Sequence, residues 1–271
     1  MAENNPITLA ELARQARNHL QSLHEAGVEW LPVGEPPEIK PELVSSHKER
    51  EQPQPEQPVI EIESQENKVD LFEEDMIELS PEERRRSLEL LEEQVSTCSR
   101  CAELFQSRTQ TVFGEGPLNP DLCIIGEAPG YNEDKQGRPF VGDAGQLLDK
   151  MIAACGFKRE EVFIANILKC RPPNNRTPLV TEADNCRGYL TEQIELIQPK
   201  FICAMGASAA QNLLERTDSI GRMRKRFFDF NGIPVLCTYH PAYLLRTPAK
   251  KRDVWEDLKM LLQRMGRPIP S

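Results

Sequence analysis

The sequence predicts an α/β domain in the C-terminal two thirds of the chain, built on a parallel sheet with helices over both faces. Three observations lead there. Four short β-rich runs, "LCIIG", "VFIANIL", "KFICAMG" and "PVLCTYH", follow one another between residues 122 and 240. Helical patterns near 143–155, 181–197 and 207–215 separate them, and strands alternating with helices pair in parallel through right-handed crossovers. The segment "AKKRDVWEDLKMLLQRM" then closes the domain as a helix. In open sheets of this class ligands bind beyond the carboxyl ends of the strands. Those ends are "GEAPGYNED" after the first run, Asn166 within the second, "GASAAQ" after the third and "HPAYLLR" after the fourth.

The front third has a different texture. Within residues 1–30, Leu9, Leu12, Ala13, Ala16, Leu20 and Leu23 recur at helical spacing, with Gly27 as a stop, which predicts one amphipathic helix. Residues 31–79 are expected to form a disordered linker. Their 32–70 stretch is rich in Pro, Glu and Gln and poor in aromatics, so it buries too little apolar surface to offset the entropy of ordering. A second helix begins with Ser80 as N-cap, Pro81 in the first position and Glu83 at the capping-box position, and with it a domain spanning 80–271.

Charge divides along the same boundary. Residues 1–93 carry 9 Lys/Arg against 23 Asp/Glu, and residues 94–271 carry 24 against 20, so the overall charge of -10 belongs to the front of the chain. A mildly basic domain is compatible with a polyanionic partner. No run approaches the roughly 18 apolar residues of a membrane span, and "MAENNPITLA" lacks the pattern of a signal peptide. The expected location is cytoplasmic, where eight cysteines argue for metal, cluster or buried thiols ahead of disulfides.

The cysteines fall into two groups by their neighbours. Cys123, Cys155, Cys203 and Cys237 sit in apolar runs, where a thiol acts as a small buried hydrophobe. Cys98 and Cys101 in "TCSRC", Cys170 in "LKCRPPNNR" and Cys186 in "DNCRGY" lie among polar residues. Four such thiols, two of them a CxxC pair, suit a tetrahedral site; their spacing is equally open to zinc, to an iron–sulfur cluster and to a redox pair.

His240 is the single histidine of the α/β region and ends its last strand, followed by a proline that keeps its backbone extended. The stretch "GEAPGYNEDKQGRPFVG", residues 126–142, places four glycines, three carboxylates and one Phe beyond the first strand. It lacks the spacing of a dinucleotide fingerprint and the lysine of a phosphate loop. Carboxylates and an aromatic ring in one loop instead suit a planar, hydrogen-bonding ligand such as a nucleobase.

Taken in order, "CSRC", "FGEG", "IIGEAPG", "EDKQGRPFVGDAGQLLDKM", "NILKCRPPNNRTP" and "HPAYLL" resemble the family 4 uracil-DNA glycosylases, the iron–sulfur branch of the uracil-DNA glycosylase superfamily, from about Ser96 to Met265. The resemblance implies a three-layer α/β/α domain around a four-stranded parallel sheet. It implies that Cys98, Cys101, Cys170 and Cys186 hold a [4Fe-4S] cluster of structural role. It implies that Phe140 stacks on a base flipped out of the DNA and that Asn166 reads the uracil edge. His240 is then the donor at uracil O2. Glu127 falls in the water-activating motif, although Ala128 stands where the better-known family 1 pattern has an aspartate.

Thymine exclusion needs bulk against C5, for which Tyr131 and Glu133 are the candidates. Leu244 occupies the position of the wedge that fills the gap in the base stack, Arg246 is placed to meet a phosphate, and the basic run "GRMRKRFF" at 221–228 offers a second backbone contact.

The expected activity is hydrolysis of the N-glycosidic bond of uracil in single- and double-stranded DNA, leaving an abasic site. No lysine occupies a Schiff-base position, so no lyase step is expected. A different deaminated base, or an inert binding module, are the competing readings. The expected state is a monomer with DNA as partner and no membrane, the N-terminal extension either docking a protein through its helix or serving as a solubilising tail.

Overall fold

The computed structural model describes residues 79–270. The expected N-terminal helix and all of the linker but Leu79 lie outside the described residues. Helix α1, Pro81–Thr97, starts as expected: the Ser80 hydroxyl accepts the Glu83 N–H at 3.3 Å and the Glu83 carboxylate accepts the Ser80 N–H at 2.8 Å. A short helix α2, Ala102–Ser107, precedes strand β1, Leu122–Gly126. Helices α3, Tyr131–Gln136, and α4, Asp143–Ala154, lead to β2, Phe163–Asn166. Helix α5, Val180–Ile197, and β3, Phe201–Met205, follow. Then come α6, Ala207–Leu214; α7, Ile220–Met223; β4, Phe227–Phe230; and β5, Ile233–Thr238. Helices α8, Pro241–Arg246, and α9, Lys251–Arg264, complete the domain. No helix among the described residues is long and apolar enough to cross a membrane.

The sheet has five strands in the order β2-β1-β3-β5-β4. The four expected strands pair in parallel; the fifth, β4, pairs antiparallel with β5 at the edge. This corrects the expected count of four. The hairpin is made by Asn231 and Gly232, whose φ values of 49° and 83° give the two left-handed residues that a tight two-residue connection needs.

Alternation along the strands divides the core into two layers. Leu122 and Ile124 of β1, Cys203 and Met205 of β3 and Leu236 of β5 pack with Leu148, Leu258 and Leu261 of α4 and α9. Cys123 and Ile125, Ile202 and Ala204, and Val235 and Cys237 pack on the other face with Leu190, Ile194, Ala210 and Leu213 of α5 and α6. The result is the expected α/β/α arrangement. Cys123, Cys155, Cys203 and Cys237 are all buried, as their apolar neighbours imply.

An ion pair is held at the edge of this core. Asp257 of α9 is fully buried, and its Oδ2 accepts Arg224 Nε and Thr238 Oγ1, each at 2.6 Å. Arg224 also donates to the Asp253 carbonyl at 2.6 Å and stacks on the Tyr239 ring at 4.3 Å. Asp257→Ala leaves that guanidinium with only the Asp253 carboxylate, 3.6 Å away, and removes two buried hydrogen bonds, a change that costs about 1–3 kcal/mol. The expected result is a lower urea midpoint with an unchanged denaturant slope; an unaltered midpoint contradicts the assignment. The pair also corrects part of the expected DNA contact at 221–228. Arg224 faces inward, and Arg222, Lys225 and Arg226 are the exposed charges of that run.

Candidate active site

The carboxyl ends of β1, β2, β3 and β5 converge as expected. In the β1–β2 register Gly126 stands opposite Asn166. Beyond the strands the two chains stay joined, because Ile167 and Leu168 donate their N–H groups to the carbonyls of Gly126 and Glu127 at 3.0 and 3.1 Å. Above this floor opens a cavity of about 600 Å³ whose walls include Glu127, Tyr131, Glu133, Phe140, Asn166, His240 and Arg246. Seven of the eight non-cysteine residues singled out from the sequence thus line one space.

The loop from Gly130 to Gly142 is held by Glu133. Its carboxylate accepts the N–H groups of Gly130, Val141 and Gly142 at 3.1, 2.8 and 2.9 Å. These bonds flank Phe140, which has a φ of 51°, a strained value for an aromatic residue. The strain turns its ring over the strand ends, where it stacks on His240 with centroids 5.5 Å apart and an interplanar angle of 29°.

Gly126 and Gly145 make room for this arrangement. A Cβ at Gly145 would stand 1.8 Å from the Phe140 carbonyl oxygen, and one at Gly126 would stand 2.4 Å from both Phe140 Cζ and Asn166 Oδ1. Gly126→Ala therefore displaces ring and amide together. A loss of activity of about a hundredfold is expected, since a displacement on the order of 1 Å costs that much in a positioned site. Steady-state kinetics against the thermal midpoint checks it: a proportionate loss of stability without a kinetic defect contradicts this role.

Asn166 is 2% exposed, and its Oδ1 is buried with no hydrogen-bond partner. A buried amide oxygen without a partner is costly, and Asn166 stands in the cavity wall. The His240 ring has one partner: Nδ1 accepts the Ala242 N–H at 3.1 Å. That bond assigns the proton of the neutral ring to Nε2, which makes Nε2–H a donor. Burial pushes the His240 pKa down to about 4, with Arg246 acting in the same direction, so the ring is neutral near pH 7. The Glu127 carboxyl is pushed up by burial, opposed by a hydrogen bond with Ser208 on α6.

One expectation needs correction. Leu244 is 1% exposed and packs in the core against α9, so its side chain cannot wedge into a base stack. The next residue, Leu245, is 45% exposed. A six-residue helix that starts at Pro241 turns position 244 inward and 245 outward, a periodicity the motif alone does not display. Tyr131 lines the cavity from the start of α3, 54% exposed, with the Arg171 guanidinium 5.0 Å from its ring centre.

The four polar-loop cysteines come together at one side of the cavity. Cys98 and Cys101 end α1 and begin α2, Cys170 follows β2, and Cys186 lies on α5. Cys101, Cys170 and Cys186 pack in one cluster with Leu104 and Leu168, and Cys98 with Cys186 in the next. All four are free thiols. Three receive N–H donors: Arg108 Nη1 to Cys170 at 3.0 Å, Lys169 N to Cys186 at 3.4 Å and Asn185 Nδ2 to Cys101 at 3.4 Å. Burial pushes the Cys170 thiol up and the Cys186 thiol up to about 11, and the Arg108 guanidinium and the Lys169 N–H oppose it by favouring charge on sulfur. Among the described residues no three or more His, Cys, Asp or Glu side chains converge closely enough for one metal ion.

Comparison with known proteins agrees with this geometry. The sequence profile described as "Uracil DNA glycosylase superfamily" matches residues 113–259. The chain is 43% identical over 180 residues to the type-4 uracil-DNA glycosylase of Thermotoga maritima, covering 65% of this chain and 93% of that protein. With the type-4 enzyme of Pyrobaculum aerophilum the figures are 42% over 181 residues, 64% and 92%, and with that of Archaeoglobus fulgidus 36% over 193 residues, 68% and 96%. Matches of this extent, on a chain whose strand ends build one cavity, show that it belongs to the uracil-DNA glycosylase superfamily and, within it, to the type-4 enzymes.

Proposed function

We propose that the protein excises uracil from DNA, hydrolysing the N-glycosidic bond to leave an abasic site. The observation that carries this reading is Asn166, a buried amide with an unpartnered oxygen in the wall of a cavity large enough for a nucleobase. An amide offers an acceptor and two donors, which pair with N3–H and O4 of uracil and mismatch cytosine at both positions. A base inside a duplex cannot reach this cavity, so the nucleotide leaves the stack at a cost of a few kcal/mol, less in single strands. Phe140 then lies against the flipped base.

Bond cleavage places negative charge on the departing base, and His240 Nε2–H stabilises that charge at O2 as it develops. The neutral imidazole suffices for this. Glu127, ionised, orients the attacking water and takes up its proton, and burial makes it a stronger base for that step. Glu133 acts through the loop it braces and through the bulk it sets against C5 of the base. Leu245, with Arg246 beside it, replaces Leu244 as the residue facing the DNA.

Cys98, Cys101, Cys170 and Cys186 are the residues that would hold a [4Fe-4S] cluster, which supplies a structural anchor and no electron to a hydrolysis. They tie α1, α2, α5 and the "CRPPNNRTP" segment together beside the cavity. The domain from residue 80 onward carries the activity as a monomer in the cytoplasm, and the N-terminal segment serves a protein partner. Removing residues 1–79 is expected to leave the excision rate unchanged, and loss of excision in that shortened chain contradicts this boundary.

The reading is tested with end-labelled single- and double-stranded oligonucleotides that carry one uracil or one thymine, incubated with protein of measured iron and sulfide content and then cleaved at abasic sites with alkali. Cleavage at uracil in both forms is the expected result. No cleavage of either form by iron-loaded protein turns the reading toward another deaminated base or an inert binding module.

A further inference from the structure

We infer that Lys169 is a positioning residue that orients Asn166 for the base and links it to the cysteine centre, a role that rests on the reading of Asn166 given above. Lys169 is 1% exposed, which is rare for a lysine. Its Nζ donates to the main-chain oxygen of Asn166 at 3.2 Å and to Gln193 Oε1 at 2.6 Å, and stands 5.7 Å from the centre of the Phe113 ring. Gln193 is itself fully buried on α5 and donates Nε2 to the Phe113 carbonyl at 3.1 Å. The Lys169 main chain is tied as firmly. Its N–H donates to Cys186 Sγ at 3.4 Å, its carbonyl accepts the Val112 N–H at 2.7 Å, and Cys170 is the next residue.

Two physical arguments follow from these contacts. First, the Asn166 side-chain oxygen has no protein partner, so its direction is set by packing and by the backbone that carries it. The peptide after Asn166 is held at both ends, its oxygen by Lys169 Nζ and its N–H, from Ile167, by the Gly126 carbonyl at 3.0 Å. A supporting contact of this kind holds a reading group within the few tenths of an ångström that its hydrogen bonds require. Second, a buried ammonium is expensive, and an apolar side chain of similar size would fill the same space at less cost. Both of its side-chain partners are neutral carbonyls. That cost is borne for the two carbonyls it holds, and the main-chain N–H of the same residue, on Cys186 Sγ at 3.4 Å, joins the segment that carries the reading amide to the cysteine centre.

The test compares Lys169→Met, Asn166→Ala and the double variant, each assayed for iron, for kcat and KM on a uracil oligonucleotide, and for free uracil affinity by titration calorimetry. Lys169→Met is expected to keep its iron and its KM for DNA, while kcat and free uracil affinity fall together, kcat by about ten- to a hundredfold. In the double variant the two losses do not multiply: adding Lys169→Met to Asn166→Ala changes kcat by less than about threefold, the mark of residues acting as one unit. Losses that multiply in full overturn the inference, as do an unchanged kcat and uracil affinity in Lys169→Met. Wild-type kcat and uracil affinity in Asn166→Ala alone would instead overturn the reading of Asn166. Where Lys169→Met does not retain iron, Gln193→Leu, which removes the acceptor of Lys169 Nζ on α5 together with the donor to the Phe113 carbonyl, is judged by the same rule against Asn166→Ala.

Discussion

His240→Ala is expected to lower kcat for uracil release by about 10²- to 10³-fold, the effect of removing one preorganised donor worth about 3–4 kcal/mol to a developing oxyanion. KM for DNA is expected to stay near its wild-type value, because the charge that His240 meets exists in the transition state and not in the bound substrate. The hydrogen bond from Ala242 to Nδ1 makes this a prediction about one atom: Nε2–H is the donor. A pH profile separates His240 from its neighbour. With its pKa near 4, His240 keeps one protonation state from about pH 5 upward and contributes no limb there. Glu127 must be ionised to act and is pushed up by burial, so the rate falls as pH drops through its raised pKa. Glu127→Gln should lower the rate and abolish that acid limb. An acid limb that persists in Glu127→Gln contradicts the division of roles.

Asn166→Ala is the second large effect. The substitution removes both the acceptor and the donors that pair with the base edge, and each lost pairing leaves a buried polar group of the base unsatisfied at about 1–3 kcal/mol. A fall in kcat/KM of roughly two to four orders of magnitude follows. Stability should rise slightly or hold, since the Asn166 oxygen is unpartnered in the free protein and its removal relieves a desolvated group. A variant that is more stable and nearly inactive separates a reading residue from a scaffold residue, for which the two quantities fall together. Thermal midpoint and kinetics measured on the same preparation check this.

Most of the fold was legible because strand and helix periods are properties of the chain itself. The unbroken apolar, β-rich run of "LCIIG" and the Ser80 capping box required no partner to be recognised. The edge strand β4 was missed although "FNG" held its signal, because the basic residues just before it suggest a solvated surface run. Side-chain direction was the weakest inference. Leu244 and Leu245 are identical in type and adjacent, and only the start of α8 at Pro241 decides which of them faces inward. The role of Glu133 was hidden for a related reason. As a charged residue in a polar loop it suggested contact with the substrate, whereas three backbone N–H groups converge on it through the fold of that loop. Lys169 carried no signal of its own, since the run "NILKCRPP" shows neither its burial nor its reach to Asn166 and Gln193.

The most direct measurement compares wild type and Asn166→Ala, both loaded with iron, for kcat/KM on single-stranded oligonucleotides bearing uracil, cytosine or thymine at one position. The account predicts that wild type releases uracil alone and that Asn166→Ala loses most of that activity with its iron content unchanged. Uracil release by Asn166→Ala at the wild-type rate, with cytosine and thymine still refused, would show that the base is read elsewhere in the cavity.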